Sequence, residues 1–310
     1  MKMSDQAPPA KLTLGPVMFN WPAEKWRDFY FRIADEADVD SVYLGEVVCS
    51  KRVSFVEPHL GDVIERLGGA GKEVVVSTLA LVMNDREMDL IRSTALMDDL
   101  LVEANDVSTA SLMAGRPHVI GPFVNVYNEG TLEFFARQGA KRICLPVEVS
   151  AQTLSVLAAK AKELDREIEV IAFGRLPLAV SARCYHARAH NLNKDGCEFI
   201  CGEDLDGMEL ETLDGTPFLA VNGTQTLSYS CCNLLSEIGA MRDMGVGCFR
   251  LSPQDLDMVA VARIFRGVLE NSMEIAEAQQ LLAGLAPDFV FSNGYFHGVE
   301  GGEMVTGSPR

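Results

Sequence analysis

Cys184, Cys197 and Cys201 share one polar, turn-rich stretch, SARCYHARAHNLNKDGCEFIC, with the spacing C-x12-C-x3-C. Thiols spaced this way can converge on a metal. A C-x3-C pair either lies one helical turn apart or closes a loop around an ion. Three thiolates need a fourth ligand, and Cys49 in YLGEVVCSKR can supply it. Four thiolates hold either a structural zinc or an iron–sulfur cluster. Zinc ribbons use two compact C-x2-C knuckles, a pattern missing here, so iron–sulfur is favoured and zinc stays open.

The remaining cysteines have ordinary surroundings. Cys144 in RICLPV and Cys248 in CFRLSP read as buried core thiols, as free cysteines usually are. Cys231 and Cys232 are adjacent, so their side chains diverge; a helix there would turn one of them to the core. His186 and His190 stand at i, i+4, a metal-capable spacing that more often serves the surroundings of a metal site than its ligand set. His59 and His118 read as loop or strand-edge residues. No G-x-S-x-G, H-E-x-x-H or P-loop pattern occurs, and no catalytic acid or base is assigned.

These residues need a frame. Val/Ile/Leu-rich runs begin at Lys11, Ser41, Glu73, Asp99, His118, Arg142, Glu167 and Cys248. Runs with so little polar alternation are parallel strands covered on both faces. Amphipathic helices lie between them: one with Pro22 at its start, one with Asn84 and Glu87 at capping-box spacing, one from Ser150, and DLDMVAVARIFRGVLEN. The glycines near Gly68 precede a strand, so they end a helix and do not cradle a dinucleotide. Eight such units predict an α/β fold, a (β/α)8 TIM-like barrel over residues 11–292.

Residues 176–244 are too long for one βα unit and read as an insertion between the seventh and eighth strands. It carries the three clustered cysteines, a hairpin turning at Asp214-Gly215, and a returning helix over TQTLSYSCCNLLSEIGAMRDM. Such an insertion lies on the C-terminal face, where barrel enzymes build their sites. Cys49, just past the second strand, falls on the same face. So do Glu46, Thr78, Glu103, Asn105, Asn125, Glu148 and Gln254. With Lys51, Arg52, Arg175, Arg183 and Arg188, they describe a mouth suited to an anionic small molecule. Residues 1–10 and 293–310 are expected to be disordered.

A net charge of −17 argues against nucleic-acid binding and polybasic membrane contact. No secretory h-region and no membrane-spanning run is present, so a cytoplasmic protein is expected. In a reducing cytosol, eight cysteines point to metal or redox chemistry more than to disulfides.

At YLGEVVCSKR, FGRLPLAVSARCYHARAHNLNKDGCEFIC and FLAVNGTQTLS, the sequence resembles the collagenase-like (U-type) peptidase family. Within that family it is most similar to the branch serving oxygen-independent ubiquinone biosynthesis. LGPVMFNWP, STLALV, LPVEVS and RLSPQ stand where that branch has them, and the resemblance runs from about Lys11 to about Gly267. It implies a [4Fe–4S] cluster on Cys49, Cys184, Cys197 and Cys201, the same set that spacing singles out. A related family member uses a later cysteine, near Cys231 and Cys232. The resemblance also implies a heterodimer with a UbiU-like subunit and a lipid-binding helper presenting a prenylated quinone precursor. A prephenate-like hydroxyl donor would replace dioxygen. Rival roles are an iron–sulfur peptidase or RNA-modifying hydroxylase of the same family, a zinc scaffold, or a non-catalytic stabilising subunit.

Overall fold

The computed structural model describes residues 9–306. Eight parallel strands close a barrel: β1 (Lys11–Leu14), β2 (Ser41–Leu44), β3 (Glu73–Ser77), β4 (Leu101–Ala104), β5 (His118–Ile120), β6 (Ala140–Cys144), β7 (Glu167–Val180) and β11 (Cys248–Leu251). Each pairs with its predecessor, β11 pairs with β1, and the β7–β11 ladder, starting at Glu169 opposite Cys248, shuts the ring. Helices cover the outside: α1 (Ala23–Glu36), α2 (Val53–Gly69), α3 (Asp85–Ala95), α4 (Val107–Leu112), α5 (Glu129–Arg137) and α6 (Ala151–Glu163). The barrel strands are buried almost throughout, which accounts for their richness in Val, Ile and Leu.

The sequence signals for the helices hold in detail. Pro22 stands at the N-cap of α1, and Ser150 caps α6. Asn84 Oδ1 accepts the Glu87 amide at 3.0 Å, half of a capping box. The other half is diverted: the Glu87 carboxylate accepts from Ser50 Oγ and the Met83 amide, both at 2.8 Å. A helix start thereby anchors the residue beside Cys49. Gly71, at φ +77, turns the chain out of α2.

β7 is the strand that departs from a plain barrel. It runs past Gly174, whose φ of +116 and crowding against Ser252 (2.6 Å from an ideal Cβ) admit only glycine. Its extension carries the insertion: α7 (Tyr185–Ala189), then β8 (Met208–Glu211), β9 (Pro217–Asn222) and β10 (Gln225–Asn233), with β10 antiparallel to β7. The hairpin turns at Gly215, φ +80, as expected. The expected returning helix does not cover Gln225–Asn233. That stretch is rich in Thr, Ser, Tyr and Cys and takes the free edge of β7 as a strand; helix begins only at α8 (Ile238–Met244). Cys231 and Cys232 therefore point to opposite faces of a strand, both buried.

After α9 (Met258–Leu269) and α10 (Ile275–Leu285) comes the segment expected to fray. Residues 293–306 are instead built into the fold. β12 (Phe291–Ser292) pairs with β10, and α11 (Gly294–His297) follows. Asn293 donates to Glu237 (2.9 Å) and accepts from the Val305 amide (2.7 Å), while His297 Nε2 lies 3.0 Å from the same Glu237. The insertion leaves a strand edge that the tail satisfies. Residues 1–8 and 307–310, the ends of the two segments expected to be disordered, lie outside the described residues. No helix among the described residues is long and apolar enough to cross a membrane.

Candidate metal centre

Cys49 sits in the turn leaving β2. Gly45, at φ +117, lets that turn press on β3, where a Cβ would fall 2.6 Å from the Ser77 carbonyl oxygen. Glu46 Oε1 then accepts the amides of Val48 (2.8 Å) and Cys49 (2.9 Å), which fixes the direction of the loop. Burial pushes the Glu46 carboxyl up, against the opposing pull of Arg52 and those amides.

Cys184 is the N-cap of α7, and its Sγ accepts the Ala187 amide at 3.4 Å. The C-x3-C segment is a loop and not a helical turn. Glu198 (φ 50) and Phe199 (φ 55) are both left-handed, and a short 3-10 turn over Ile200–Gly202 then presents Cys201. Consecutive non-glycine residues in that region are strained, by roughly 1–3 kcal/mol each. The Phe199 ring is held edge-on to Phe55 at 4.7 Å. Lys51 Nζ donates to the carbonyls of Lys194 (2.8 Å) and Asp195 (2.9 Å), which ties the β2 loop to the insertion.

Folding thus brings Cys49, Cys184, Cys197 and Cys201 to the wall of one small cavity. All four are free thiols; Cys184 and Cys201 are buried, Cys49 and Cys197 half-buried. Three cations line the same cavity: Lys51, Arg52 and Lys194. Lys51 Nζ lies 3.9 Å from Cys197 Sγ. Arg52 is fully enclosed; it donates to the Met18 carbonyl and to Asn222 Oδ1, each at 2.9 Å, and its Nε has no partner. Gly223 makes room for it, since an ideal Cβ there would meet Arg52 Nη2 at 2.6 Å. Burial pushes the Cys49 and Cys184 thiols up, with Arg52 opposing at Cys49 and the Ala187 amide opposing at Cys184. In the free protein they stand as thiols, and metal binding would displace their protons.

Among the described residues, no three His, Cys, Asp or Glu side chains converge tightly enough to clasp one ion. A tetrahedral zinc needs its sulfurs at about 2.3 Å from a single centre, whereas a four-iron cluster gives each thiolate its own iron. Four thiols with cations around them are the donor set that either centre would use.

The other expected participants disperse. His186 is buried with Nε2 2.9 Å from Asp204, and its ring stacks on His190 at 5.5 Å. His118 is buried in β5, and His59 lies in α2. Cys144 and Cys248 are core thiols as expected. Thr78, Glu103 and Asn105 hold one another at the barrel mouth, where Asn105 Nδ2 donates to the Thr78 carbonyl (3.1 Å) and to Glu103 (3.0 Å). Gln254 is buried there too. The expected arginine-lined anion pocket does not form. Arg52 and Arg175 are buried and committed to protein acceptors, while Arg183 and Arg188 are exposed on the insertion. Reading the sequence missed Lys194 and Gly223 as cavity residues. Gly223, in VNGT at the β9–β10 turn, was the one with a local signal.

Solved structures that this chain resembles remotely include a biosynthesis protein and a dehydratase. The spore coat polysaccharide biosynthesis protein SpsE of Bacillus subtilis is 11% identical, with 93% of this chain and 73% of that one covered and a TM-score of 0.41. The type I 3-dehydroquinate dehydratase of Clostridium difficile is 10% identical, with 86% and 93% covered and a TM-score of 0.38. The family comparison is firmer: the model of peptidase family U32 matches residues 25–306, nearly the whole barrel with its insertion and tail, and the chain belongs to that family.

Proposed function

We propose that this chain is a UbiV-type iron–sulfur subunit that works with a UbiU-like partner in O2-independent hydroxylation of the ubiquinone ring precursor, in the cytoplasm. The observation that carries the reading is the convergence of four thiols from three separate segments on one cation-lined cavity. Cys49, Cys184, Cys197 and Cys201 would hold a [4Fe–4S] cluster, which supplies electron transfer or a Lewis-acidic iron when bound. Lys51, Arg52 and Lys194 offset the negative charge that four thiolates bring into a small enclosed space. The Ala187 amide orients the Cys184 sulfur, and Glu46 sets the Cys49 loop. A lipid-binding helper would present the prenylated precursor, and a prephenate-like compound would donate the hydroxyl.

Peptidase action through one of these cysteines is less well supported. A nucleophilic thiol has a depressed pKa, whereas those of Cys49 and Cys184 are raised. A stabilising role is the second reading, favoured by the Lys51 bonds that staple the β2 loop to the insertion through this site.

Anaerobic co-purification with the UbiU-like subunit, with iron, sulfide and zinc quantified and an absorption spectrum recorded, tests the cofactor. Four irons and four sulfides per chain are expected, and Cys197→Ala should lose most of them; zinc without iron rejects the cluster. Anaerobic ubiquinone production in a strain lacking the protein tests the pathway, and an unchanged quinone level rejects it. Full quinone with a cluster-free variant assigns the centre a structural role.

A further inference from the structure

The charge of −17 is not spread evenly along the chain. Residues 195–241 hold nine carboxylates and residues 267–309 hold six, with no lysine or arginine in either stretch. Of the 44 acidic residues, the 29 that remain face 27 basic ones, a net charge of −2. Nearly all of the protein's net charge therefore belongs to the insertion and to the C-terminal part of the chain.

Folding joins these two stretches. β12 pairs with β10, with Cys231 opposite Phe291 and Cys232 opposite Ser292. Where they meet, an open groove of about 620 Å³ is lined by Phe218 and Tyr229 of the insertion and by Val290 and Tyr295 of the C-terminal segment. Phe218 and Val290 are 58% and 52% exposed. The charged residues of the groove are Glu300 and Glu303, and no lysine or arginine lines it. The β8–β9 hairpin adds exposed Glu209, Glu211 and Asp214, with Leu213 fully exposed at its turn. β8 ends the sheet, and among the described residues its outer edge pairs with no strand. Exposed apolar side chains edged by charge are the usual form of a protein interaction surface.

The single sign of the charge selects the occupant. A second copy would set carboxylates against carboxylates, and nucleic acid or anionic lipid would be repelled as well. A basic protein surface would be attracted and steered to the groove. We propose that this acidic, apolar groove is where the UbiU-like subunit docks, through a face that sets lysines and arginines around apolar side chains. Those apolar groups would enter beside Phe218 and Val290. The partner's identity rests on the proposed function; the choice of surface does not.

Association and dissociation rates of the anaerobically purified chain with the purified UbiU-like subunit, measured at low and high salt, test it. Glu211→Lys combined with Glu303→Lys should slow association about tenfold at low salt and far less at high salt. Phe218→Ser should speed dissociation about tenfold at either salt, as loss of an aromatic anchor does. Asp62→Lys with Glu65→Lys, two exposed residues of α2, makes the same change in net charge outside the acidic stretches. It should move neither rate by more than about twofold. Equal slowing by the α2 pair overturns the proposal, because the effect would then be one of net charge. If wild type binds but either groove change leaves its rate unaltered, the interface lies elsewhere and the proposed partnership stands. No complex with wild type removes both. Self-association of the chain alone that Phe218→Ser abolishes gives the groove to a second copy and overturns the proposal. Iron content and circular dichroism of each variant separate lost docking from lost fold.

Discussion

The barrel interior and the thiol cavity both bury arginine, but they treat its charge differently. Inside the barrel, Arg250 Nη2 pairs with Glu169 at 2.5 Å and Glu103 at 2.7 Å, and the guanidinium lies over the Tyr43 ring at 3.9 Å. Glu169 also accepts from Thr13 (2.6 Å), and Arg142 is closed by Glu73 and Glu167, each at 2.9 Å. Every charge there has its opposite within the protein. In the thiol cavity Arg52 donates only to neutral acceptors, with Lys51 and Lys194 beside it; the carboxylate that feels its charge, Glu46, is off the cavity wall and bonded to the Val48 and Cys49 amides. A network that neutralises itself is architecture; buried cations facing thiols leave room for a negative guest.

The sharpest way to break this comparison is to remove the central barrel cation. Arg250→Met leaves Glu169 and Glu103 enclosed without compensation, and loss of one partner from such a group costs about 3–5 kcal/mol. Urea denaturation of the metal-free protein should read a loss of that order, and a loss below about 1 kcal/mol would mean the network is dispensable. Its pH dependence sharpens the point. Burial alone would raise the Glu169 pKa, but Arg250 and Arg142 outweigh it and hold the carboxyl below its ordinary 4.5. A depressed carboxylate stabilises the fold above its unfolded pKa, and that contribution is lost as pH falls through the folded value. The stability gap between wild type and Arg250→Met should therefore be widest near neutrality and narrow below about pH 4.5. A gap that stays constant down to acid unfolding removes Glu169 as its source.

On the other side, Arg52→Met should cost less. It leaves Asn222 Oδ1 without a donor, about 1–3 kcal/mol, while the Met18 carbonyl keeps Asn222 Nδ2 at 2.8 Å and the Glu46 carboxylate keeps the Val48 and Cys49 amides. Its distinguishing effect belongs to the iron-loaded protein. Loss of a cation beside the thiolates should lower the reduction potential of a bound cluster, because positive charge favours the reduced form. Protein-film voltammetry reads this directly, and an unmoved potential would make Arg52 a purely structural residue.

The two regions were also unequally legible in the sequence. The barrel could be read because most strands are rich in Val, Ile and Leu with little polar alternation, and several helix starts carry their own signal, as at Asn84 and Ser150. Cys184, Cys197 and Cys201 stood out through their polar setting, and Cys49 through its place just past the second strand. The charge network was invisible because Glu103, Glu169 and Arg250 come from β4, β7 and β11, and only barrel closure makes them neighbours. Gln225–Asn233 misread as helix for a related reason: the strand exists because the extension of β7 offers it an edge, which no local pattern announces. The tail was misjudged by its small residues. Gly294 and Gly301 are there because Glu300 and the Tyr295 ring leave no space for a Cβ.

The smallest effect tests whether the thiol loop stores strain that the barrel avoids. Glu198 is exposed and held at φ 50, so Glu198→Gly removes no buried contact and relieves a left-handed conformation. The metal-free protein should gain about 1 kcal/mol in urea denaturation. The same change loosens the link between Cys197 and Cys201, so iron should dissociate faster when the loaded protein is challenged with a chelator. A gain in stability with unchanged iron release would place the strain in the fold alone. A loss of stability would mean that the left-handed turn is held at no cost by the Phe199–Phe55 contact, and that the loop, like the barrel, is already at rest.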